Sequence, residues 1–336
     1  MMFYEPYGKK RGARAQAEER RSGGCFVRAL GFVFKLLLKL ALLLLILAVI
    51  AFALPPGLFN VEPQADLGIV SGLPDSRVNI LVLGIDADRG SAQRSDSMMI
   101  LSVGYNCVKL TSILRDTMVT IPGHGQSKIN AAYAYGGAEL AMRTVNETFG
   151  MNISKYVVVD YLTLARLVDA VGGIDLVISQ EEMEHINYNN ARYAGSSVIE
   201  ADLGYAPKQL TQYSADGETP VHLDGLQALG YARIRKLDSD FVRTSRQRKV
   251  AEATLLAMRS QIANPMMYVR LINVLIENVK TNMGPVEIVS LGLKALVCGE
   301  IEQLRLPVDG TYQDDGSSIV IDQQANAQQL RAFIYD

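Results

Sequence analysis

The chain has 336 residues, 49% of them apolar, with three histidines, three cysteines, no tryptophan and a formal net charge of −2. That length exceeds one average domain and falls short of two once the N-terminal region is set apart. Residues 1–54 hold nine Lys/Arg against three Asp/Glu, which leaves 24 basic and 32 acidic residues for the rest. An acidic body argues against a partner as long and anionic as nucleic acid, and any local arginine cluster in it points to a small anionic ligand.

The run 40–54 is uncharged and apolar, about 22 Å as helix, short of a hydrocarbon core of roughly 30 Å. Extending it back to Leu30 takes in Lys35 and Lys39, which snorkel to the headgroups while their stems stay in lipid. This predicts one membrane helix over 30–54. The Lys and Arg residues between Lys9 and Arg28 then place a basic tail, residues 1–29, in the cytoplasm and everything after Pro55 outside. A signal peptide cleaved near Ala51-Phe52-Ala53 is the competing reading, and so long an n-region argues against it. Cys107 and Cys298 form the outer pair of cysteines and read as small core residues in preference to a disulfide.

Residues 55–77, punctuated by Pro and Gly, read as a linker to a domain over 78–336. Val78–Ile85 is a near-continuous apolar run, as in a strand buried on both faces. It ends at Asp86. A polar loop with Asp88 and Arg94 follows, and Asp96-Ser97 opens a second strand over 98–103. Carboxylates at neighbouring strand ends beside a phosphate site are what Mg²⁺ needs; turn formation is the competing role, and Asp88 competes with Asp86 for either. The pattern over 108–121 is strand-like but broken by Arg115-Asp116, either as a surface turn or as a third strand end at the site. Lys128 precedes a helix running to Phe149, where a cation favours an anionic partner or simply faces solvent. A strand over 156–159, a helix over Tyr161–Ala170 stopped by Gly172-Gly173 and a strand over 174–178 complete an alternation that predicts an α/β fold, one layered domain with a central mixed sheet flanked by helices. Residues 181–220, rich in Asn, Ser, Gly and Tyr, read as a long surface excursion bordering the site.

Asp224 caps a short helix over 226–229 that delivers a stretch, 231–250, holding five arginines and two lysines. Alternation of Tyr231, Arg233 and Arg235 with Ala232 and Ile234 predicts a strand with both arginines on one side. A helix from Asp240 to Ile262 follows, with Arg243 and Gln247 on the stripe that continues through Val250, Thr254, Met258 and Ile262. Cations in the first turns of a helix favour a bound anion such as phosphate; a solvated basic face is the alternative. Helices after Asn264-Pro265 and Gly284-Pro285, a strand over 301–306 and a closing helix over Gln323–Tyr335 end the chain. The apolar stripe with Leu271, Leu275 and Leu291 reads as core or as the lining of a lipid groove.

Together, Gly84-Ile85-Asp86 with Arg94-Ser95-Asp96-Ser97, Leu114-Arg115-Asp116-Thr117, Lys128-Ile129-Asn130, Val158-Val159-Asp160, Ala170-Val171-Gly172-Gly173-Ile174, Tyr231-Ala232-Arg233-Ile234-Arg235 and Asp240-x-x-Arg243-x-x-Arg246-Gln247 resemble the LytR-CpsA-Psr family. Pro307-Val308-Asp309-Gly310-Thr311-Tyr312 is similar to that family's tail, and Leu114 stands where proline is common. The resemblance implies a membrane-anchored phosphotransferase of the cell envelope. Such enzymes move an anionic glycopolymer, of the teichoic acid or capsule kind, from a polyprenyl pyrophosphate carrier to peptidoglycan. It implies Mg²⁺ at Asp86 and Asp96, with Asp88 the alternative first ligand. It implies pyrophosphate held by Arg94, Arg115, Arg233, Arg235, Arg243 and Gln247, with Lys128 and Arg246 as further contacts. The candidates for the base that deprotonates the acceptor hydroxyl are Asp96 and Asp116, and metal coordination competes for the same oxygens. A hydrolase of the same lipid and a membrane-bound sensor or regulator are the alternative functions.

Overall fold

The structure, a computed structural model, describes residues 66–86, 93–104, 107–193, 203–235, 237 and 239–336. The expected tail, the membrane helix over 30–54 and Asp88 lie outside the described residues. Among the described residues no helix is long and apolar enough to cross a membrane.

Val78–Ile85 (β1) sends Leu81, Leu83 and Ile85 to one face and Ile80 and Val82 to the other, the period of two of an extended chain. Both faces being apolar, it sits inside a sheet. It pairs antiparallel with Ser95–Val103 (β2), which pairs antiparallel with the wholly buried Cys107–Ile113 (β3). Thr117–Ile121 (β4) and Gly125–Lys128 (β5) form a hairpin leading into the helix Ala131–Phe149 (α1). Lys155–Asp160 (β6) returns parallel to β1 and ends at Asp160, whose carboxylate caps Tyr161–Ala170 (α2) by accepting from the Thr163 N–H at 2.7 Å. Gly172 and Gly173, at φ 84° and 92°, make a turn that a side chain would strain. There follow Ile174–Leu176 (β7), Gln180–Ala191 (α3), Val221–Leu223 (β8), Gly225–Ala232 (α4), Asp240–Ser260 (α5), Pro265–Asn278 (α6), Lys280–Thr281 (β9), Pro285–Val297 (α7), Glu300–Leu306 (β10), Tyr312–Asp314 (β11), Ile319–Ile321 (β12) and Gln323–Tyr335 (α8).

The main sheet is mixed, in the order β10-β3-β2-β1-β6-β9. One face is closed by α1 and α8 through Val145, Phe149, Leu330 and Ile334; the other meets α5 and α7 through Ala251, Leu255, Leu291 and Ala295. This is the layered α/β body expected. Leu67 is buried in the first of these clusters, so the body takes in chain ahead of Val78. Pairing fixes what meets at one end of the sheet. Ile85 stands opposite both Ser95 and Asp160, and Ile113 opposite both Met98 and Leu306. The C-terminal ends of β10, β3, β1 and β6 therefore line up with the start of β2.

Three expectations are corrected. The strand across Tyr231 to Arg235 is the end of a helix: Asp224 and Gln227 form a capping box, Leu226 and Leu229 are fully buried, and α4 runs on to Ala232 with Arg233 as its C-cap. Tertiary burial overrides the alternation. The excursion over 181–220 begins instead with α3, started by a capping box between Ser179 and Glu182. Ile262, placed on an inward stripe, is 38% exposed because α5 stops at Ser260. Two short strands, β11 and β12, build a second sheet in the order β11-β12-β4-β5.

Candidate functional site

Between β1 and β2 the register slips: Gly84 stands opposite Ser97 but Ile85 opposite Ser95, so Asp96 is the extra residue of a bulge. A bulge re-aims a side chain. Asp96 is 5% exposed, and a carboxylate so buried requires partners. Arg115 Nη1 donates to Oδ1 at 2.9 Å, Arg235 Nη2 to Oδ2 at 3.2 Å and the Tyr161 hydroxyl to Oδ2 at 3.3 Å. Arg243 Nη2 donates to the Asp96 backbone oxygen at 3.0 Å.

Arg115, just past β3, spans the cluster. It also meets Asp116 at 3.3 Å and Asp240 at 3.6 Å. Burial lowers its pKa, but Asp240, Asp96 and Asp116 outweigh burial and the net shift is upward. Asp116 takes a second cation, Lys128, at 2.8 Å. Asp240 is not the cap of α5, a position held by Ser239; it lies in the first turn and pairs with Arg243 at 2.9 Å. Arg243 is 2% exposed, and burial pulls its pKa down. Its Nε is buried with no hydrogen-bond partner among the described residues, and leaving such a donor unsatisfied costs stability.

On the β6 side, the Arg233 guanidinium lies 4.3 Å from the Tyr161 ring and 5.9 Å from that of Tyr193, and donates to the Tyr193 hydroxyl. Burial, then the charge of Asp96, pushes the Tyr161 pKa up to about 12, with Asp86 adding to the rise. Asp86, directly after β1, thus acts on the same phenol as Asp96. Gln247 Oε1 accepts from Ser97 Oγ at 2.9 Å. Arg94 is exposed just ahead of β2.

The structure therefore gathers Asp96, Arg115, Asp116, Lys128, Arg235 and Arg243 into one network, with Arg233 joined through Tyr161. Arg246 turns elsewhere. It is buried, its Nε donates to Glu182 on α3 at 2.9 Å, and its guanidinium lies 5.8 Å from the Tyr231 ring. The sequence offers Asp240 as a partner of the basic stretch, and it pairs with Arg243 and Arg115; it does not single out Tyr161 and Tyr193. The available signal for Tyr161 was its place directly after a strand end, where ligands of open α/β sheets gather.

Among the described residues no group of three or more His, Cys, Asp or Glu is placed to hold a metal. Mg²⁺ takes one or two carboxylates and completes its shell with phosphate oxygens and water, and the carboxylates near this sheet end are of the donor type it accepts. Asp96 offers about four lone-pair positions, and three donors occupy its side chain. Guanidinium groups converging on one point suit bidentate recognition of phosphate.

The model of the LytR_cpsA_psr family matches residues 60–333. "Regulatory protein MsrR" of Staphylococcus aureus (strain COL) is 29% identical over 273 residues, 77% of this chain and 75% of that one. "Polyisoprenyl-teichoic acid--peptidoglycan teichoic acid transferase TagU" of Bacillus mycoides (strain KBAB4) is 33% identical over 245 residues, 71% of each chain. Among solved structures, Bacillus subtilis TagT with bound octaprenyl pyrophosphate lipid shares the fold at TM-score 0.58 and 21% identity, over 82% of this chain and 96% of that one.

Proposed function

The chain belongs to the LytR_cpsA_psr family, and from that premise we propose that it transfers an anionic glycopolymer from a polyprenyl pyrophosphate carrier to peptidoglycan. The observation that carries this reading is the buried carboxylate of Asp96 ringed by Arg115, Arg235 and Arg243 at the end of the sheet. The relatives' names supply the kind of substrate.

Attack by an acceptor hydroxyl on the phosphorus bearing the glycopolymer forms one O–P bond and breaks the bridging P–O bond, and polyprenyl phosphate leaves. Such transfers need positioning and charge neutralisation more than covalent help. Arg115, Arg235 and Arg243 hold the two phosphates, with Arg233 on the β6 side and Arg94 and Lys128 at the rim. Gln247, fixed to Ser97, orients them. Mg²⁺, held by Asp86 and Asp96, would add charge neutralisation on the phosphates. Asp116 takes the hydroxyl proton: its side chain is 26% exposed against 6% for Asp96, so it is the carboxylate an acceptor reaches, and Lys128 and Arg115 hold it in place.

The lipid lies along the sheet face toward α5 and α7. There Val82, Leu101 and Val157, on inner strands, are only partly buried while Ile80 and Val108 on the same face are closed off, which leaves an apolar wall within reach of a hydrocarbon chain. The separate cavity of about 440 Å³ between α2 and α6, lined by Asp169, Leu203, Arg270, Asn273 and Glu277 among others, shares no residue with that wall. The membrane helix over 30–54 and its basic flank would put the domain outside the cytoplasmic membrane.

Incubating the full chain in vesicles with lipid-linked glycopolymer, Mg²⁺ and glycan fragments tests the reading. A phosphodiester-linked product that requires the glycan supports transfer. Release with water alone makes the protein a hydrolase, and no turnover of any donor overturns the reading.

A further inference from the structure

The motif 307–312, Pro-Val-Asp-Gly-Thr-Tyr, leaves β10 at the same end of the sheet as the arginine cluster yet supplies none of its ligands. Its loop is rigidly built. Asn326, fully buried, accepts from Val308 N at 2.9 Å and donates to Thr311 Oγ1 at 2.8 Å, Thr311 Oγ1 donates to Val308 O at 2.6 Å, and Asp322 N closes on Thr311 O at 2.8 Å. This framework delivers Tyr312 to Phe241, the neighbour of Asp240 in the first turn of α5. The ring centroids are 5.4 Å apart, tilted by 32°. The Arg305 guanidinium lies 4.5 Å from the Phe241 ring and 5.9 Å from that of Tyr312, and pairs with Asp309. Both rings are half-buried, so each keeps surface open to solvent.

Strand order gives this shelf its meaning. From β6 to β10 is four strand spacings, about 19 Å at roughly 4.8 Å each. Tyr161 stands at the β6 end, Asp96 and Arg115 in the middle, and the Phe241–Tyr312 pair at the β10 end. The partly open apolar wall lies under β2, β1 and β6, which puts the leaving polyprenyl phosphate on that side. An in-line displacement brings the nucleophile from the opposite side, past Asp116, the residue after Arg115, toward β10.

We propose that Phe241 and Tyr312, braced by Arg305, form the subsite for the acceptor glycan, with pyranose C–H faces stacked on the electron-rich ring faces. The inference rests on the transferase reading for the word acceptor, but saccharide binding there is measurable without turnover.

The probe is a β-1,4-linked N-acetylhexosamine tetrasaccharide, titrated by calorimetry into the full chain and into Tyr312→Leu, Tyr312→Phe and Phe241→Leu, with a short polyprenyl pyrophosphate titrated in parallel. Tyr312→Leu and Phe241→Leu should weaken saccharide binding by about five- to tenfold, and Tyr312→Phe should retain it, as expected for loss and rescue of an aromatic stacking contact. Pyrophosphate binding should hold in all three. In the transfer assay the KM for acceptor rises by the same factor with kcat unchanged. Saccharide binding that is absent in the wild type, unchanged in both Leu variants, or lost in step with pyrophosphate binding overturns the subsite. Saccharide binding that depends on Tyr312 in a protein that transfers nothing would leave the shelf standing and remove the transferase.

Discussion

Arg243 and Arg246 lie three residues apart on α5, are 2% and 4% exposed, and belong to different regions. Arg243 joins the end of the main sheet, where it meets the backbone of Asp96 and the carboxylate of Asp240 and leaves Nε without a partner among the described residues. Arg246 joins the contact between α3 and α5, where it pairs with Glu182 and lies against Tyr231. Burial alone does not mark a functional arginine. What distinguishes the two is direction: one set of donors faces a place where four chain segments end, and the other ties two helices together.

The largest expected effect separates the two regions by stability. Arg246→Ala leaves the Glu182 carboxylate, 16% exposed, without its cation, and should lower unfolding free energy by about 3–5 kcal/mol in denaturant titrations. A combined Arg246→Met and Glu182→Gln variant, which keeps the acceptor for the Ser179 N–H in the capping box, should recover most of that loss, because no unpaired charge is left at the contact.

Asp116→Asn sharpens the contrast from the other side. It keeps the side-chain shape beside Arg115 and Lys128 but removes the proton acceptor, so kcat should fall by about 10²–10⁴-fold with little change in unfolding midpoint. If the rate held, Asp96 would become the remaining candidate for the base.

The smallest effect concerns Tyr161. Its folded pKa is pushed up to about 12, by burial first and by Asp96 second, against about 10 when unfolded. The raised value means that its contribution to stability is complete below pH 10 and is lost as pH rises toward 12. Tyr161→Phe should flatten that part of the stability profile and slightly lower stability at neutral pH, through loss of the 3.3 Å hydrogen bond to Asp96.

Where periodicity was strong, the sequence was enough. The near-continuous apolar run of β1 and the Gly-stopped pattern of α2 both read directly. Helix α3 did not: of Gln180–Ala191, only Met183, Ile186 and the exposed Tyr188 supply large apolar side chains, so no stripe shows, and the usable sign was the Ser179 and Glu182 spacing of its capping box. Strands β11 and β12, three residues each, are too short for any period to register. The charged residues of the site were legible as types, but their company was not. That Asp96 sits in a bulge, that Arg115 bridges three carboxylates and that Arg246 faces away all follow from strand order and helix packing, which long-range burial decides. The strand expected at Tyr231 to Arg235 failed for the same reason, since a five-residue alternation also fits the last turn of a buried helix.

The most direct measurement is calorimetric binding of a short-chain polyprenyl pyrophosphate, with Mg²⁺, to the wild type, Arg235→Ala, Arg243→Ala and Arg246→Ala, each first shown to be folded. Charge-assisted contacts of about 1.5–3 kcal/mol predict at least about tenfold weaker binding for Arg235→Ala and for Arg243→Ala, with Arg246→Ala close to wild type. Equal affinity in the wild type, Arg235→Ala and Arg243→Ala would contradict the assignment of the sheet end as the pyrophosphate site.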